Sequence, residues 1–424
     1  MNYDVVIKDA YLAKGDGQEV ANIGITGNKI TYIGTEKITG KETIDGKDML
    51  AAPGWVNTHT HLAMTLLRSY ADDMQLMPWL QEKIWPIEAK MVKDHFMWGS
   101  YLGVVEMIKN GTTCFNDMYF MMEETAKVVE KAGIRGVLTR CVMGDDPKND
   151  IRLQESREFY KAWNNQANGR IKVVYGPHAP YTCTNRYLQQ VIEDAKKDNV
   201  LIHMHLAETQ FEVDTCIKEK GKTPIQLMDS LGMFEQPTVA AHCVYVNDKD
   251  MDIMQAKKVA VAHNPQSNLK LSSGIAPISK MLEKDILVSV GTDGTSSNNN
   301  LDMLEEIRTA CFLAKCDSKN PTVLPATQAL EIGTYNGAKA LRIDNLGKLE
   351  TGYLADIVLY NMNEPYWYPH HNLVSNLIYA ASANDVDTVI VDGKVLMKKR
   401  EILTLDEEKI KFETNKIAKE LVKQ

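Results

Sequence analysis

Between residues 55 and 345 the chain repeats one pattern: a short apolar run, a polar residue at its end, then an amphipathic stretch of helical period. The apolar runs fall at 54–58, 112–116, 135–139, 171–176, 201–205, 238–242, 259–263 and 287–292, with helical stretches such as 96–109 and 301–314 between them. Strands that alternate with helices run parallel, because the helix carries the chain back to the same end of the sheet. Eight such units suit a closed (β/α)8 barrel better than an open sheet. The expected fold is therefore α/β, a TIM-like barrel over 55–345.

The two ends of the chain have a different texture. Short β-type runs at 5–7, 23–25 and 30–33 are separated by turn-forming Gly and Asn, and β-branched runs recur at 355–360 and 386–395. Neither end alone has enough strands for a stable sheet. Residues 1–54 and 346–424 are therefore expected to join as one small β-sandwich domain with a helical tail at its carboxyl end.

Composition narrows the function classes. A formal net charge of −8 lacks the basic surplus that a nucleic-acid groove needs. No apolar run approaches the roughly 18 residues of a membrane span, and the start, Met1-Asn2-Tyr3-Asp4-Val5, reads as a strand without a signal peptide's basic region. Seven scattered cysteines, with no C-x-x-C pair, suit a reducing compartment. These features point to a cytoplasmic protein with a small-molecule partner, no nucleic acid and no membrane. Exposed barrel helices commonly support a homo-oligomer.

The polar residues at the strand ends carry the chemistry. His59 and His61 follow the first strand, Asn116-Asp117 the second, His178 the fourth, His205 the fifth, His242 the sixth and Asp293 the eighth. In an α/β barrel these ends meet in one mouth, where active sites lie. His59 and His61, two residues apart, share a strand face, and two neutral imidazoles suit a borderline ion such as Zn²⁺ or Fe²⁺. His203 and His205 share a face as well, so spacing does not choose between them; His205 is nearer the mouth and is preferred. Taken singly, Glu208 reads as a solvated loop carboxylate, and His242 or His263 as a core histidine. Asp293 ends a buried strand, where an unpartnered charge is expensive and a metal would compensate it.

Pro53-Gly54-Trp55-Val56-Asn57-Thr58-His59-Thr60-His61, His205-Leu206-Ala207-Glu208, His242 and Asp293 together resemble the metal-dependent amidohydrolase superfamily. The stretches at 61–68, 79–89 and 291–303 are similar to its 5-methylthioadenosine/S-adenosylhomocysteine deaminases, and the likeness spans essentially the whole chain. The resemblance implies that His59, His61, His205 and Asp293 hold one divalent ion, Zn²⁺ with Fe²⁺ as the alternative. It makes Glu208 the proton shuttle, His242 the polarising histidine, Glu88 the acceptor of ribose hydroxyls and His178 a substrate contact. Arg140 and Arg152 stand where the family places arginines near the amino-acid end of S-adenosylhomocysteine. Two-metal relatives use a carboxylated lysine after strand four; here Tyr175-Gly176-Pro177-His178 offers none.

The implied reaction is hydrolytic deamination at C6 of the adenine ring in 5′-methylthioadenosine and S-adenosylhomocysteine, with 5′-deoxyadenosine and adenosine sharing the ring and ribose. Glu208, His242 and Asp293 are the expected catalytic groups, and Glu208 and Asp293 would also contact the substrate. The cytidine-deaminase type of site is excluded, because its P-C-x-x-C ligands are absent. Two rivals remain: a hydrolase of the same scaffold acting on another heterocycle or cyclic amide, and a non-catalytic barrel, which would have lost ligands that are present here.

Overall fold

A computed structural model describes residues 2–423. Eight parallel strands form the barrel sheet: β1 (Trp55–Thr60), β2 (Thr112–Tyr119), β3 (Arg135–Val142), β4 (Ile171–Pro177), β5 (Ile202–Leu206), β6 (Thr238–His242), β7 (Ala260–His263) and β8 (Val288–Val290). They pair consecutively, each with the next in sequence. Every residue of β1, β2 and β3 is buried, as expected of parallel strands covered on both faces.

The seam between β8 and β1 is closed largely by side chains. Thr58 Oγ1 donates to the Val290 carbonyl at 2.9 Å, Asn57 Nδ2 to Thr292 Oγ1 at 2.8 Å, and the Asp293 amide to the His59 carbonyl at 3.0 Å. Gly291 permits this approach: a Cβ there would stand 2.8 Å from the His59 backbone nitrogen and oxygen. The closure thus sets Asp293 directly against β1.

Both chain ends contribute to one nine-stranded sheet. The amino-terminal strands Asn2–Leu12, Val20–Thr26, Lys29–Gly34, Thr39–Asp45 and Met49–Pro53 join Ile357–Asn361, Val386–Val391, Lys394–Lys398 and Glu401–Ile402. The join is an antiparallel ladder between Met49–Pro53 and Ile357–Asn361, and side chains of both ends share one apolar cluster that includes Ile7, Ile23, Ile25, Ile357 and Ile390. The helix Glu407–Leu421 follows.

Several local expectations change. Asn116 and Asp117 lie inside β2, which runs on to Tyr119 because Met118 and Tyr119 still pair with Thr139 and Arg140. The run at 386–395 is a hairpin, reversed at Asp392-Gly393 with φ of 53° and 74°. Thr39–Asp45 is a strand that the sequence pattern hides, since only Ile44 of it is buried. Among the described residues, no helix is long and apolar enough to cross a membrane, and the seven cysteines are free thiols.

At the opposite end of the barrel from the strand-end histidines, Arg135 opens β3 and clamps the two sheets. Its guanidinium donates to Asp356 at 2.8 and 3.0 Å and to Asp392 at 2.7 Å; Arg135 and Asp356 are buried and Asp392 partly so. Removing the cation would leave two carboxylates facing each other out of water. Arg135→Met should therefore destabilise the fold by about 3–5 kcal/mol, read as a lower urea midpoint; an unchanged midpoint would show that the clamp contributes nothing.

Candidate active site

The strand-end histidines are oriented by what holds their second nitrogen. His61 Nδ1 donates to the Met118 carbonyl at 2.6 Å, and His205 Nδ1 to the His178 carbonyl at 2.8 Å. His59 Nδ1 faces His203 Nε2 at 2.9 Å. The Nδ1 bonds of His61 and His205 leave lone pairs on their Nε2 atoms, the form that ligates metals. His61 and His205 bring those Nε2 atoms to 3.3 Å of each other, and Asp293 Oδ1 lies 3.3 Å from His59 Nε2 and 3.2 Å from His61 Nε2. Bonds of about 2.0–2.1 Å to a tetrahedral ion put its ligand atoms about 3.3 Å apart. His59 Nε2, fully buried, has no hydrogen-bond partner. The residues present fit a single divalent ion.

The electrostatics keep His59 and His205 neutral, as ligands must be, while Asp293 favours a proton on His61 that metal binding would displace. Burial pushes His59 down to about 3 and His205 well below the usual imidazole range, keeping both neutral. Burial acts the same way on His61, but the neighbouring Asp293 outweighs it and raises His61 to about 9. Burial would raise Asp293 too, yet the imidazoles of His59 and His61 hold it well below the usual carboxylate range. Asp293 is fixed further by Ser267 and Ser297 hydroxyls donating to Oδ2 at 2.6 and 2.7 Å, and by the Gly294 amide donating to Oδ1 at 2.8 Å.

Beside this cluster stands an acid–base pair. Glu208, buried in the turn after β5, has Oε2 3.9 Å from His242 Nε2, and burial raises its pKa. His242 Nδ1 faces Asn268 Oδ1 at 2.8 Å, which makes Nδ1 the donor and leaves Nε2 as an acceptor. Ala207, His242, Cys243 and Asp293 all have φ between 49° and 72°, unusual for residues with a Cβ and typical of functional sites.

One cavity gathers most of the expected residues. His61, His205, Asp293, Glu208, His242, His178 and Glu88 all line it, with Met64, Trp79, Trp85, Met118, Phe120 and Leu271 among the apolar walls. His59 lies just beneath, fully buried. Burial lifts Glu88 to about 7, against the pull of the Tyr119 hydroxyl that donates to it. His178 Nδ1 is engaged with Thr182 Oγ1 at 3.1 Å.

The arginines part company. Cys141 lines the cavity, so its strand neighbour Arg140 points to the opposite face. There Arg140 is buried and held by Glu123 and Glu155, and it does not line the cavity. Arg152 does not line the cavity either: it is half-exposed, pairs with Asp150 at 3.3 Å, and lies near Cys141, whose thiol burial pushes up despite it. The strand-face ambiguity also resolves: His205 lines the cavity, while His203 sits one layer deeper, bonded to His59 and 3.1 Å from Asn116 Nδ2. Sequence reasoning missed Asn268, Ser267, Ser297, Tyr119 and Glu212. Of these only Glu212 left a local signal, Thr209-x-x-Glu212, which by itself reads as the start of a helix.

Residues 50–396 match the model of the amidohydrolase family. A 5-methylthioadenosine/S-adenosylhomocysteine deaminase of Dictyoglomus thermophilum is 53% identical over 90% of this chain and 89% of its own. One from Thermoanaerobacter pseudethanolicus is 49% identical over 96% and 95%. Among solved structures, an adenosine deaminase from Xanthomonas campestris with bound zinc superposes with a TM-score of 0.95 at 30% identity, covering 100% of this chain and 99% of that one.

The donor set leads to a direct measurement. Purified protein should carry about one divalent ion per chain by elemental analysis. His59→Ala and Asp293→Ala should each reduce that content to near zero while the fold persists by circular dichroism. Full metal content in both variants would remove these residues from the ligand set.

Proposed function

The chain belongs to the amidohydrolase family, and within it we propose a hydrolytic deaminase acting at C6 of adenine nucleosides. Its substrates are 5′-methylthioadenosine and S-adenosylhomocysteine, converted to the inosine analogue and ammonia. The observation that carries this reading is the single cavity that holds the metal-binding cluster, the Glu208–His242 pair and, on its wall, the Glu88 carboxylate, between aromatic and methionine side chains suited to a purine.

His59, His61, His205 and Asp293 would hold the ion, proposed as Zn²⁺ with Fe²⁺ as the alternative. The nitrogen-rich donor set and the zinc of the Xanthomonas structure support that choice. When bound, the ion supplies a nucleophile at neutral pH by lowering the pKa of a water from about 15.7 towards 7. Glu208 takes one proton from the water attacking C6 and delivers it to N1, so that the ring accepts the new bond; its raised pKa suits a group that must hold that proton between the two steps. His242 Nε2 accepts a hydrogen bond from the attacking water and orients it. Asp293 passes the second proton to the departing amine, leaving a carbonyl at C6 and a hydrogen on N1. Glu88 accepts from the ribose hydroxyls, and His178 contacts the base.

In this reading residues 55–345 are the catalytic unit, with 1–54 and 346–424 forming the composite β-domain. The enzyme works in the cytoplasm as a homo-oligomer, on small nucleosides and not on nucleic acid or membranes, in keeping with its net charge of −8.

The decisive assay is ammonia release from 5′-methylthioadenosine beside triazine and hydantoin controls; turnover of the controls alone would overturn the reading. Glu208→Gln should keep its metal and lose turnover by about 10²-fold or more, with little change in KM. Arg152→Met should lower kcat/KM for S-adenosylhomocysteine by about 5–10-fold, a modest loss because the guanidinium is partly solvated, while 5′-methylthioadenosine changes little. Arg140→Met should treat both substrates alike. Equal losses in the Arg152 variant would remove its role at the carboxylate end.

A further inference from the structure

The turn that carries Glu208 is held by a residue from the next helix. Thr209 caps the helix Gln210–Lys220, its Oγ1 accepting from the Glu212 amide at 3.1 Å. In an ordinary capping box the carboxylate three residues on would return to the amide of the cap residue itself. Glu212 reaches further back. One of its oxygens accepts from the Ala207 amide and the other from the Glu208 amide, each at 2.9 Å. Ala207 is the residue in the left-handed region, with φ of 53°, where a Cβ is strained. The Ala207 carbonyl is fixed as well, by the Tyr245 amide at 2.9 Å.

A buried carboxylate that abandons the local helix pattern to bind two successive amides has a task other than helix initiation. Its bonds define the direction in which the Glu208 side chain leaves the backbone, and a shuttle that serves two atoms of the reaction depends on that direction. We propose that Glu212 is a positioning residue for deamination: it holds the Ala207–Glu208 turn in its left-handed form so that the Glu208 carboxyl faces the attacking water and N1. The inference rests on the shuttle role proposed for Glu208. Glu212 lines no part of the cavity that holds the metal-binding cluster, so substrate affinity and metal content should be independent of it.

Glu212→Gln keeps size and shape but offers one acceptor oxygen, and its amide would set N–H groups against one of the two backbone donors. In the metal-loaded enzyme this variant should lower kcat for 5′-methylthioadenosine by about 10–100-fold, with KM within about twofold and one metal ion per chain. The same substitution made in Glu208→Gln should change kcat by less than about twofold, because the group being positioned is already lost. A merely structural residue would show equal losses in both backgrounds; that result, or an unchanged kcat in the single variant, overturns the proposal. Glu212→Asp, which keeps the charge but shortens its reach, carries the same test if the Gln variant does not fold. Normal turnover in Glu208→Gln alone would instead overturn the shuttle on which the inference rests.

Discussion

Three imidazole nitrogens and one carboxylate oxygen converge at the end of the barrel, buried except for a partly open His61. In water such an arrangement would scatter, because nothing holds like dipoles together. Here each group is fixed from behind: His61 by the Met118 carbonyl, His205 by the His178 carbonyl, His59 by His203, and Asp293 by two serine hydroxyls and an amide. A divalent cation is the group that satisfies all four at once, and the rest of the mouth is arranged around that requirement.

Holding the donors there demands unusual backbone. Four non-glycine residues at the mouth, Ala207, His242, Cys243 and Asp293, lie in the left-handed region, each at a cost of about 1–3 kcal/mol. The compensation comes from hydrogen bonds that over-determine each turn. The Asp293 amide is tied to His59 across the barrel seam, the Cys243 amide to Leu206, and the Ala207 and Glu208 amides to Glu212. All four left-handed residues lie at the carboxyl ends of β5, β6 and β8.

The other end of the barrel does different work. Arg135, at the start of β3, is paired with two carboxylates of the composite β-domain and ties the barrel to it. The cavity wall comes from a third source: Trp79, Trp85 and Glu88 lie on a helical stretch inserted after β1 and lean over the strand ends. Scaffold, clamp and wall are separate parts, so the loops at the mouth can set specificity without disturbing the barrel.

The alternation of apolar runs and helical stretches specified the barrel, because buried parallel strands and their covering helices leave a periodic trace in any one segment. That strand-end residues such as His61, His178, His205, His242 and Asp293 gather at one mouth was legible for a related reason, whereas the choice of ligands among them came from the family resemblance. The strand period did not separate His203 from His205, but the nearness of His205 to the strand end did. Two things escaped: Thr39–Asp45 buries too little to show a pattern, and nothing local marks which way Arg140 turns. Those depend on how far each strand runs and on which partners fold brings near, such as the Glu123 and Glu155 carboxylates that hold Arg140 outside the cavity. The sequence by itself determined which residue types the eight strand ends present; the tertiary structure alone decided their depth, facing and support, because those are set by contacts between segments far apart in the chain.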